Sequence, residues 1–375
     1  MRLISRLGVL LVGAAVVAAA CQGGGGQKFT IGFGGTLTGE FAAFATNMQK
    51  GAQLAIDEIN AAGGINGVQV EMISVDDRGE PKEGPVVAQQ FCDNKAVSVV
   101  LGYSFSSVAL PAVPIYDQCQ MPVLASAVTS PKLSGSSKYF HRNVPTDAYQ
   151  GAQMGEYAAK ILGLKQIASL HQVDDYGNGV TEAFENAFKG AGGEIVSSDG
   201  YQLGTKDFLP ILTNVQQKNP DGIFIGGFYP EDAKIAQQAR GLGMQQPILG
   251  TDGAANPELI QLGGDAVEGL VFYATFDPTI DLPAVKKFVD AYKAKFNEEP
   301  NSWAALAYDA VYTVKKAAEL AGGNSRDKIQ TGLGMVKDLP GVTGTTTFDQ
   351  SGDRAMKLLF IAVKDGKFAL AEKQP

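Results

Sequence analysis

Residues 29–44 read FTIGFGGTLTGEFAAF, a β-rich run followed by a glycine-containing turn and the start of a helical pattern. The run FTIGFGG predicts a short strand. Apolar residues at helical spacing follow the turn: Met48, Ala52, Ala55, Ile56 and Ile59. Gly63 and Gly64 end that pattern. The stretch therefore predicts the first strand-turn-helix unit of an α/β fold.

The glycines of this turn do not fit a nucleotide-binding loop. A phosphate loop has the form G-x-x-x-x-G-K-[ST], and Gly34 and Gly39 supply its two glycines. Glu40 stands where the lysine is needed, and a carboxylate there would repel phosphate. In the dinucleotide pattern G-x-G-x-x-G, Leu37 stands where the third glycine belongs. We therefore expect the loop to serve another purpose.

Strand-like and helix-like segments alternate from residue 29 almost to the end of the chain. The first series contains FTIGFGG, VQVEMISV, VSVVLGY and PVLASA, and a second series after residue 149 contains QIASLHQ, GEIVSSDGY, GIFIGGF and PILGTDG. Such alternation predicts parallel strands with crossover helices. The strand GLVFYATF, two longer helices and a β-rich tail follow, and we expect the tail to complete both sheets.

The predicted fold class is α/β, with two doubly wound parallel-sheet lobes joined by a three-strand hinge. The chain has 375 residues, enough for two domains. We expect residues 29–146 and 275–354 to form the first lobe. Residues 147–274 and 355–373 are expected to form the second lobe, so that the chain crosses between lobes three times.

The amino-terminal segment has the features of an export signal. Arg2 and Arg6 precede an apolar run that is too short to span a bilayer, and small residues come before Cys21. The sequence Ala-Ala-Ala-Cys at 18–21 resembles a bacterial lipoprotein signal, in which the cysteine receives lipid; the alternative is an ordinary cleavage site. We expect residues 1–20 to be a signal peptide and 21–28 a flexible tether. The folded part would then lie outside the cytoplasmic membrane, in the periplasm or at the cell surface.

Composition and charge exclude several classes of protein. The formal charge is −8, and loss of the two amino-terminal arginines would make it −10, which does not suit binding to nucleic acid or anionic lipid. His141 and His171 lie far apart and no cysteine pair has metal-ligand spacing, so we expect no metal and no cofactor. No Ser-His-Asp order or G-x-S-x-G motif is present, and the chain is predicted not to be an enzyme.

Cys92 and Cys119 each end a predicted helix, just before strands that a parallel sheet would place side by side. A disulfide between them is therefore plausible in an oxidising compartment. The alternative is a pair of buried free thiols. Neither cysteine has a histidine nearby in the sequence, so neither is predicted to be catalytic.

In open parallel sheets, ligands bind outside the carboxyl ends of the strands. Two neighbouring turns at this edge carry hydroxyl groups at predicted helix starts, with Ser106 and Ser107 after one strand and Thr129 after the next. Hydroxyls and free helix N–H groups together can bind an anion without any cation. Plain helix capping by these residues is the alternative interpretation.

The second lobe offers a carboxylate at an equivalent turn, Asp252, which could meet an ammonium group or could simply be a turn residue. Aromatic residues at several converging turns argue against simple capping throughout. They suggest a cleft that encloses a small, partly apolar ligand. These aromatic residues are Phe44, Tyr103, Phe105, Tyr176, Phe228 and Tyr229.

The same turns resemble those of the leucine/isoleucine/valine-binding family of periplasmic solute-binding proteins, which have the type I binding fold and serve ABC importers. The similar segments follow one another in order over nearly the whole mature chain. They are GEF at 39–41, AAGGING at 61–67, VDD at 75–77, SS at 106–107, AVTSP at 127–131, DYG at 175–177, GGFYPE at 226–231, GDAVEG at 264–269 and FDQSGD at 348–353.

The resemblance implies roles for individual residues. Ser106, with Ser107 nearby, and Thr129 would hold the α-carboxylate of an amino acid. The carbonyl of Ala127 and the carboxylate of Asp252 would bind its ammonium group, and Tyr176 would close over that end. The resemblance also implies that the first turn presents Phe44 to a side-chain pocket, where we expect Tyr103, Phe105, Phe228 and Tyr229 as well.

One departure concerns the turns at Gly79 and Phe105, which lack the disulfide that many amino-acid binders of the family have between them. Replacement by Cys92 and Cys119 is a hypothesis, and the aromatic pocket leaves the ligand open. The resemblance implies a monomeric, lipid-anchored substrate-binding component of an ABC importer for a branched-chain or other apolar amino acid, delivering it to a permease. The alternatives are a binding protein for an amide, short peptide or aromatic acid, and a ligand-sensing module.

Overall fold

Two separate sheets organise the part of the chain that the computed structural model describes, residues 28–374. The first sheet has five parallel strands in the order β2-β1-β3-β4-β5. Its strands are β1 (Phe29–Gly35), β2 (Val70–Asp76), β3 (Val97–Gly102), β4 (Val123–Ala125) and β5 (Phe140–Arg142). Every residue of β1 is buried, as expected for a strand covered on both faces.

Helices from two distant parts of the sequence cover the first sheet. Three of them lie between its strands: α1 (Ala42–Ala61), α2 (Glu83–Asp93) and α3 (Ser106–Cys119). Three others come from later in the chain: α9 (Pro283–Phe296), α10 (Ser302–Ala321) and α11 (Arg326–Leu333). Helix α10 packs against α1 so closely that a Cβ at Gly51 would lie 2.0 Å from the carbonyl oxygen of Ala304. We call this unit the first lobe.

The second lobe contains a seven-stranded sheet in the order β14-β13-β10-β9-β8-β6-β7. Its strands are β6 (Gln166–Gln172), β7 (Glu194–Tyr201), β8 (Gly222–Gly226), β9 (Ile248–Leu249), β10 (Val271–Ala274), β13 (Leu359–Lys364) and β14 (Lys367–Leu370). Its helices are α4 (Asp147–Glu156), α5 (Asp175–Gly190), α6 (Leu209–Lys218), α7 (Tyr229–Gly241) and α8 (Glu258–Gly263). A single π-helical turn, Tyr157–Ile161, extends α4.

The β-rich tail does not complete both sheets, contrary to expectation. Its strands β13 and β14 join the second sheet in antiparallel pairing. The preceding strands β11 (Leu339–Gly341) and β12 (Gly344–Thr346) form a separate two-stranded ribbon. The first sheet ends instead at β5, which is only three residues long and carries no clear alternation of apolar and polar residues.

Three segments connect the lobes, between β5 and α4, between β10 and α9, and between β12 and β13. The predicted fold class, two α/β lobes built on parallel sheets, is confirmed. The second lobe adds an antiparallel edge to its parallel core.

A disulfide bond joins Cys92 at the end of α2 to Cys119 at the end of α3. It lies in the first lobe and links two helices that pack side by side. Cys21, the signal peptide and the tether lie outside the described residues. Between residues 28 and 374, no helix combines the length and apolar character needed to span a bilayer.

Candidate functional site

A small cavity lies between the lobes, at the carboxyl ends of strands from both sheets. Residues of both lobes form its wall, which contains apolar rings, hydroxyl groups and one carboxylate. The lining residues are Phe44, Ser104, Ser106, Ala127, Tyr176, Phe228, Asp252, Gly253 and Trp303.

On the side of the first lobe, the wall consists of hydrogen-bond donors. The Oγ atom of Ser106, the first residue of α3, accepts hydrogen bonds from the backbone N–H groups of Thr129 and Ser130, each at 3.2 Å. Because these bonds use both acceptor positions of the hydroxyl oxygen, its proton remains free to donate. The first N–H groups of α3 also have no acceptor within the helix. This wall can therefore bind an anion without a cation.

Two further groups support this wall. The Oγ atom of Ser104 accepts a hydrogen bond from the N–H of Thr36 at 3.1 Å. This bond joins the turn that follows β1 to the turn that follows β3. Behind the Thr129 turn, the buried guanidinium of Arg142 donates to the carbonyl oxygens of Val128 and Ser130 at 3.3 and 2.9 Å. Its Nε atom pairs with Asp353 at 2.6 Å, so its charge is already neutralised.

On the side of the second lobe, the wall carries a carboxylate. Asp252 is 4% exposed and accepts hydrogen bonds from the Tyr176 hydroxyl at 2.6 Å and from the Gln150 amide at 3.1 Å. No lysine, arginine or histidine of the described chain forms a salt bridge with it. Burial raises the pKa of the Asp252 carboxyl to about 6, although its hydrogen bonds oppose the shift.

A second buried acid lies beside this site. Asp147, the first residue of α4, has two carboxylate oxygens with no hydrogen-bond partner among residues 28–374. Burial, followed by the nearby charge of Asp252, raises the pKa of Asp147 well above its ordinary value. The backbone N–H of Asp147 donates to the carbonyl of Thr129, and the nearby Thr129 hydroxyl and Arg142 guanidinium oppose the rise in the pKa of Asp147. Asp252, which has no salt-bridge partner in the described chain, makes this end of the cavity suited to a positive group.

Aromatic rings from both lobes close the cavity. The ring of Phe228 stacks on Tyr176 with centroids 4.9 Å apart and lies 4.8 Å from Phe105 and 5.6 Å from Phe44. Trp303 reaches the cavity from α10 and contacts Phe44 edge-on at 5.4 Å. These rings exclude water from the charged groups and provide an apolar region for part of a ligand.

Several predicted site residues lie at the cavity: Phe44, Ser106, Ala127, Tyr176, Phe228 and Asp252. Phe105 and Tyr229 belong to the ring cluster around it, and the Phe105 ring covers Gly79. Thr129 contributes the turn that Ser106 holds, while Ser107 is half-buried and outside the lining.

Tyr103 does not line the cavity, contrary to expectation. Its hydroxyl lies 2.6 Å from that of Tyr116 and 3.3 Å from the carbonyl oxygen of Gly84, between helices α2 and α3. A buried phenol needs hydrogen-bond partners, and these two groups provide them away from the cleft.

Sequence reasoning missed Ser104, Asp147, Gln150 and Trp303. Ser104 directly precedes the predicted turn residues, and its position at the end of a strand could have identified it. Asp147 and Gln150 lie in the first helix after a crossover, and nothing local in the sequence indicates that they approach a turn a hundred residues later. Trp303 lies in α10, far along the chain from the turns of the first lobe, and its position in the sequence does not indicate that it reaches the cavity.

Known proteins are similar to this chain over nearly all of the residues that the structure describes. A family model described as "Periplasmic binding protein" matches residues 28–367. A leucine-, isoleucine-, valine-, threonine- and alanine-binding protein of Pseudomonas aeruginosa is 30% identical over 351 residues, with 93% of each chain covered.

Two solved structures extend the comparison. A branched-chain amino acid transporter substrate-binding protein of Streptococcus pneumoniae, in complex with isoleucine, is 34% identical with a TM-score of 0.86, covering 91% of this chain and 97% of that one. A solute-binding protein of an ABC transporter from Rhodopseudomonas palustris, in complex with 3,4-dihydroxybenzoic acid, is 25% identical with a TM-score of 0.82, covering 91% and 95%.

Proposed function

The chain belongs to the periplasmic binding protein family, whose members are solute-binding proteins and not enzymes, and on this premise we propose that it binds a zwitterionic amino acid between its lobes. Branched-chain or other apolar amino acids are the proposed ligands, since relatives that bind leucine, isoleucine and valine span almost the whole chain. We further propose that the protein acts as a monomer and delivers the ligand to an ABC permease.

The observation that carries this proposal is that the two walls of the cavity have opposite polar character, with hydrogen-bond donors on one side and a carboxylate on the other. Free donors at Ser106 and the start of α3 suit a carboxylate, and Asp252 on the opposite wall has no cationic partner in the described chain. An α-amino acid carries one group of each kind. Its ammonium would neutralise Asp252, whose burial as an unpaired charge is costly.

The aromatic rings would bind the side chain of the amino acid. Phe44, Phe105, Phe228 and Trp303 form a cluster of apolar rings between the two polar walls. A branched aliphatic side chain would bury its apolar surface there, which provides the affinity that the charged ends alone would not.

An aromatic acid is the second candidate ligand, because a related protein was solved with one. Such a ligand would use the Ser106 wall and the ring cluster, but it lacks an ammonium group. Asp252 would then stay buried without a positive partner, which favours the amino acid.

A ligand screen by thermal unfolding tests the proposal. The chain from residue 22 is measured with each of the twenty amino acids and with urea, short amides and benzoate. A ligand at a hundred times its Kd should add about 2.7 kcal/mol to the free energy of unfolding. Stabilisation by leucine, isoleucine or valine is expected, whereas a response to benzoate or an amide alone would contradict an amino-acid ligand.

We also propose that Cys21 is lipidated after removal of residues 1–20, and that residues 21–28 tether the lobes outside the cytoplasmic membrane. Radiolabelled palmitate should label the wild-type protein and not Cys21→Ala in growing cells. A hinge near residues 146, 274 and 354 is part of the same proposal, since the three connections between the sheets lie there.

A further inference from the structure

Gln150 is a fully buried polar residue that belongs to none of the cavity walls. It lies on α4, the first helix after the chain crosses from the first lobe. Its amide nitrogen donates one hydrogen bond to the carbonyl oxygen of Pro145 at 3.0 Å and another to Oδ2 of Asp252 at 3.1 Å. Pro145 is part of the connection between β5 and α4. One side chain thus joins the connecting segment to the acid of the site.

The chemistry of the two partners fixes the orientation of this amide. A carbonyl and a carboxylate are both acceptors, and the two protons of the amide nitrogen satisfy them. A flipped amide would place its oxygen against two other oxygens. The remaining Gln150 oxygen has no partner in the described chain.

We propose that Gln150 is a positioning residue for Asp252: it holds the carboxylate in its ligand-binding orientation and ties it to the hinge segment at Pro145. The inference rests on the proposed function in one respect, the ammonium partner of Asp252. With Tyr176 on Oδ1 and Gln150 on Oδ2, the carboxylate has a neutral donor on each oxygen and keeps its other lone pairs for the ligand.

The titratable groups that face Asp252 come from three elements. Tyr176 lies on α5, Tyr273 on β10 and Asp147 on α4. None of them carries a positive charge, and Asp147 adds a like charge when ionised. The ionised form of Asp252 therefore depends on its neutral donors, and removal of Gln150 removes one of them.

The first test measures Asp252 in the ligand-free protein. Aspartate carboxyl carbons are labelled with ¹³C, and the resonance missing from Asp252→Asn identifies the residue. In the wild type the carboxyl is expected to titrate near pH 6. Gln150→Met, which keeps the length of the side chain but cannot donate, should move the midpoint to higher pH. Gln150→Glu should move it further because it adds a like charge.

Gln153→Met is the matched control, since Gln153 lies one turn further along α4 and makes no side-chain hydrogen bond in the described chain. Its Asp252 midpoint should equal that of the wild type. An unchanged midpoint in Gln150→Met would overturn the positioning role, whether or not the protein binds amino acids.

The second test measures the Kd of L-leucine by calorimetry between pH 5 and pH 8. Wild-type affinity should fall as the pH drops below about 6, because the proton on Asp252 must leave before an ammonium binds. Gln150→Met should bind about tenfold more weakly at pH 7 and should lose affinity from a higher pH. If the wild type binds none of the twenty amino acids, the proposed function fails while the titration still decides the role of Gln150.

Discussion

The hydroxyl of Ser106 is a neutral group that can donate a hydrogen bond to a ligand. Its two lone pairs are occupied by the N–H groups of the Thr129 turn, so rotation of its proton into the cavity costs no existing bond. The same atom therefore fixes the shape of the turn and donates to the ligand. An alanine would remove both contributions and leave two N–H groups unpaired.

We predict that Ser106→Ala weakens binding of the amino acid by about 1.5–3 kcal/mol, the usual value of a hydrogen bond to a charged group. The measurement is the Kd by calorimetry. Ser98→Ala is the control, because Ser98 lies at the opposite end of β3. Equal affinities for the two variants would exclude Ser106 from the site.

Removal of the Asp252 carboxylate is expected to weaken binding more than removal of the Ser106 hydroxyl. Asp252→Asn keeps the shape of the side chain but leaves the ligand ammonium buried without a counter-charge. We expect a loss of about 3–5 kcal/mol in binding free energy. Asp265→Asn, at an exposed aspartate of the same lobe, should bind normally. Wild-type affinity in Asp252→Asn would show that the ammonium lies elsewhere or is absent.

At the scale of elements, the turn after β1 contacts the opposite lobe through Glu40. Both carboxylate oxygens of Glu40 lie within 2.7–2.8 Å of Lys206 Nζ, and its carbonyl accepts a hydrogen bond from the Tyr229 hydroxyl at 2.7 Å. Lys206 precedes α6 and Tyr229 begins α7. The residue that rules out a phosphate loop therefore joins the two lobes at the rim of the cleft.

We predict that Glu40→Lys increases the dissociation rate of the ligand a few-fold, since an exposed pair contributes up to about 1 kcal/mol to the closed form. Stopped-flow fluorescence would measure the rate. The double variant Glu40→Lys with Lys206→Glu should restore slow dissociation, and 1 M salt should reduce the difference by screening the pair. Failure of the double variant to recover would argue against a closing role.

Elements with strong periodic patterns could be predicted from the sequence, and short or long-range features could not. Helix α10 and strand β8 follow clear apolar patterns, whereas β5 has three residues and α11 has a mostly polar sequence. The groups that would bind the two charged ends of the ligand could be predicted from the turn residues together with the resemblance. Gln150 could not be found in that way, because its role depends on a contact with Asp252 that only the folded chain creates.

At the scale of the whole molecule, many buried acids make stability depend on pH. Burial raises the pKa of Asp77, Asp174 and Asp252 to about 6 and that of Glu231 to about 7. An acid whose pKa is raised by folding stabilises the protein while it is protonated, and this stabilisation is lost as the pH rises through the folded pKa. Burial lowers the pKa of His141 to about 4. This shift has the opposite effect, because stability rises with pH between about pH 4 and pH 6.5 as the unfolded chain loses the proton that the folded protein does not hold.

We therefore predict that the ligand-free protein loses about 1–2 kcal/mol of stability between pH 6 and pH 8. Thermal unfolding across this range measures the effect. Glu231→Gln should flatten the dependence, because a neutral side chain replaces the group that titrates there. A Tm that rises steadily from pH 6 to pH 8 would contradict the prediction.

The close packing of α1 against α10 has a consequence for how the chain is made. The amino-terminal lobe is finished by α9, α10 and α11, the last of which ends at Leu333, so a growing chain cannot complete that lobe until almost all of it has been made. The second lobe is finished later still, because β13 and β14, which end at Leu370, complete its sheet. Neither lobe is therefore encoded by a single continuous stretch of the chain, and neither can be cut out as one fragment with its sheet and covering helices intact.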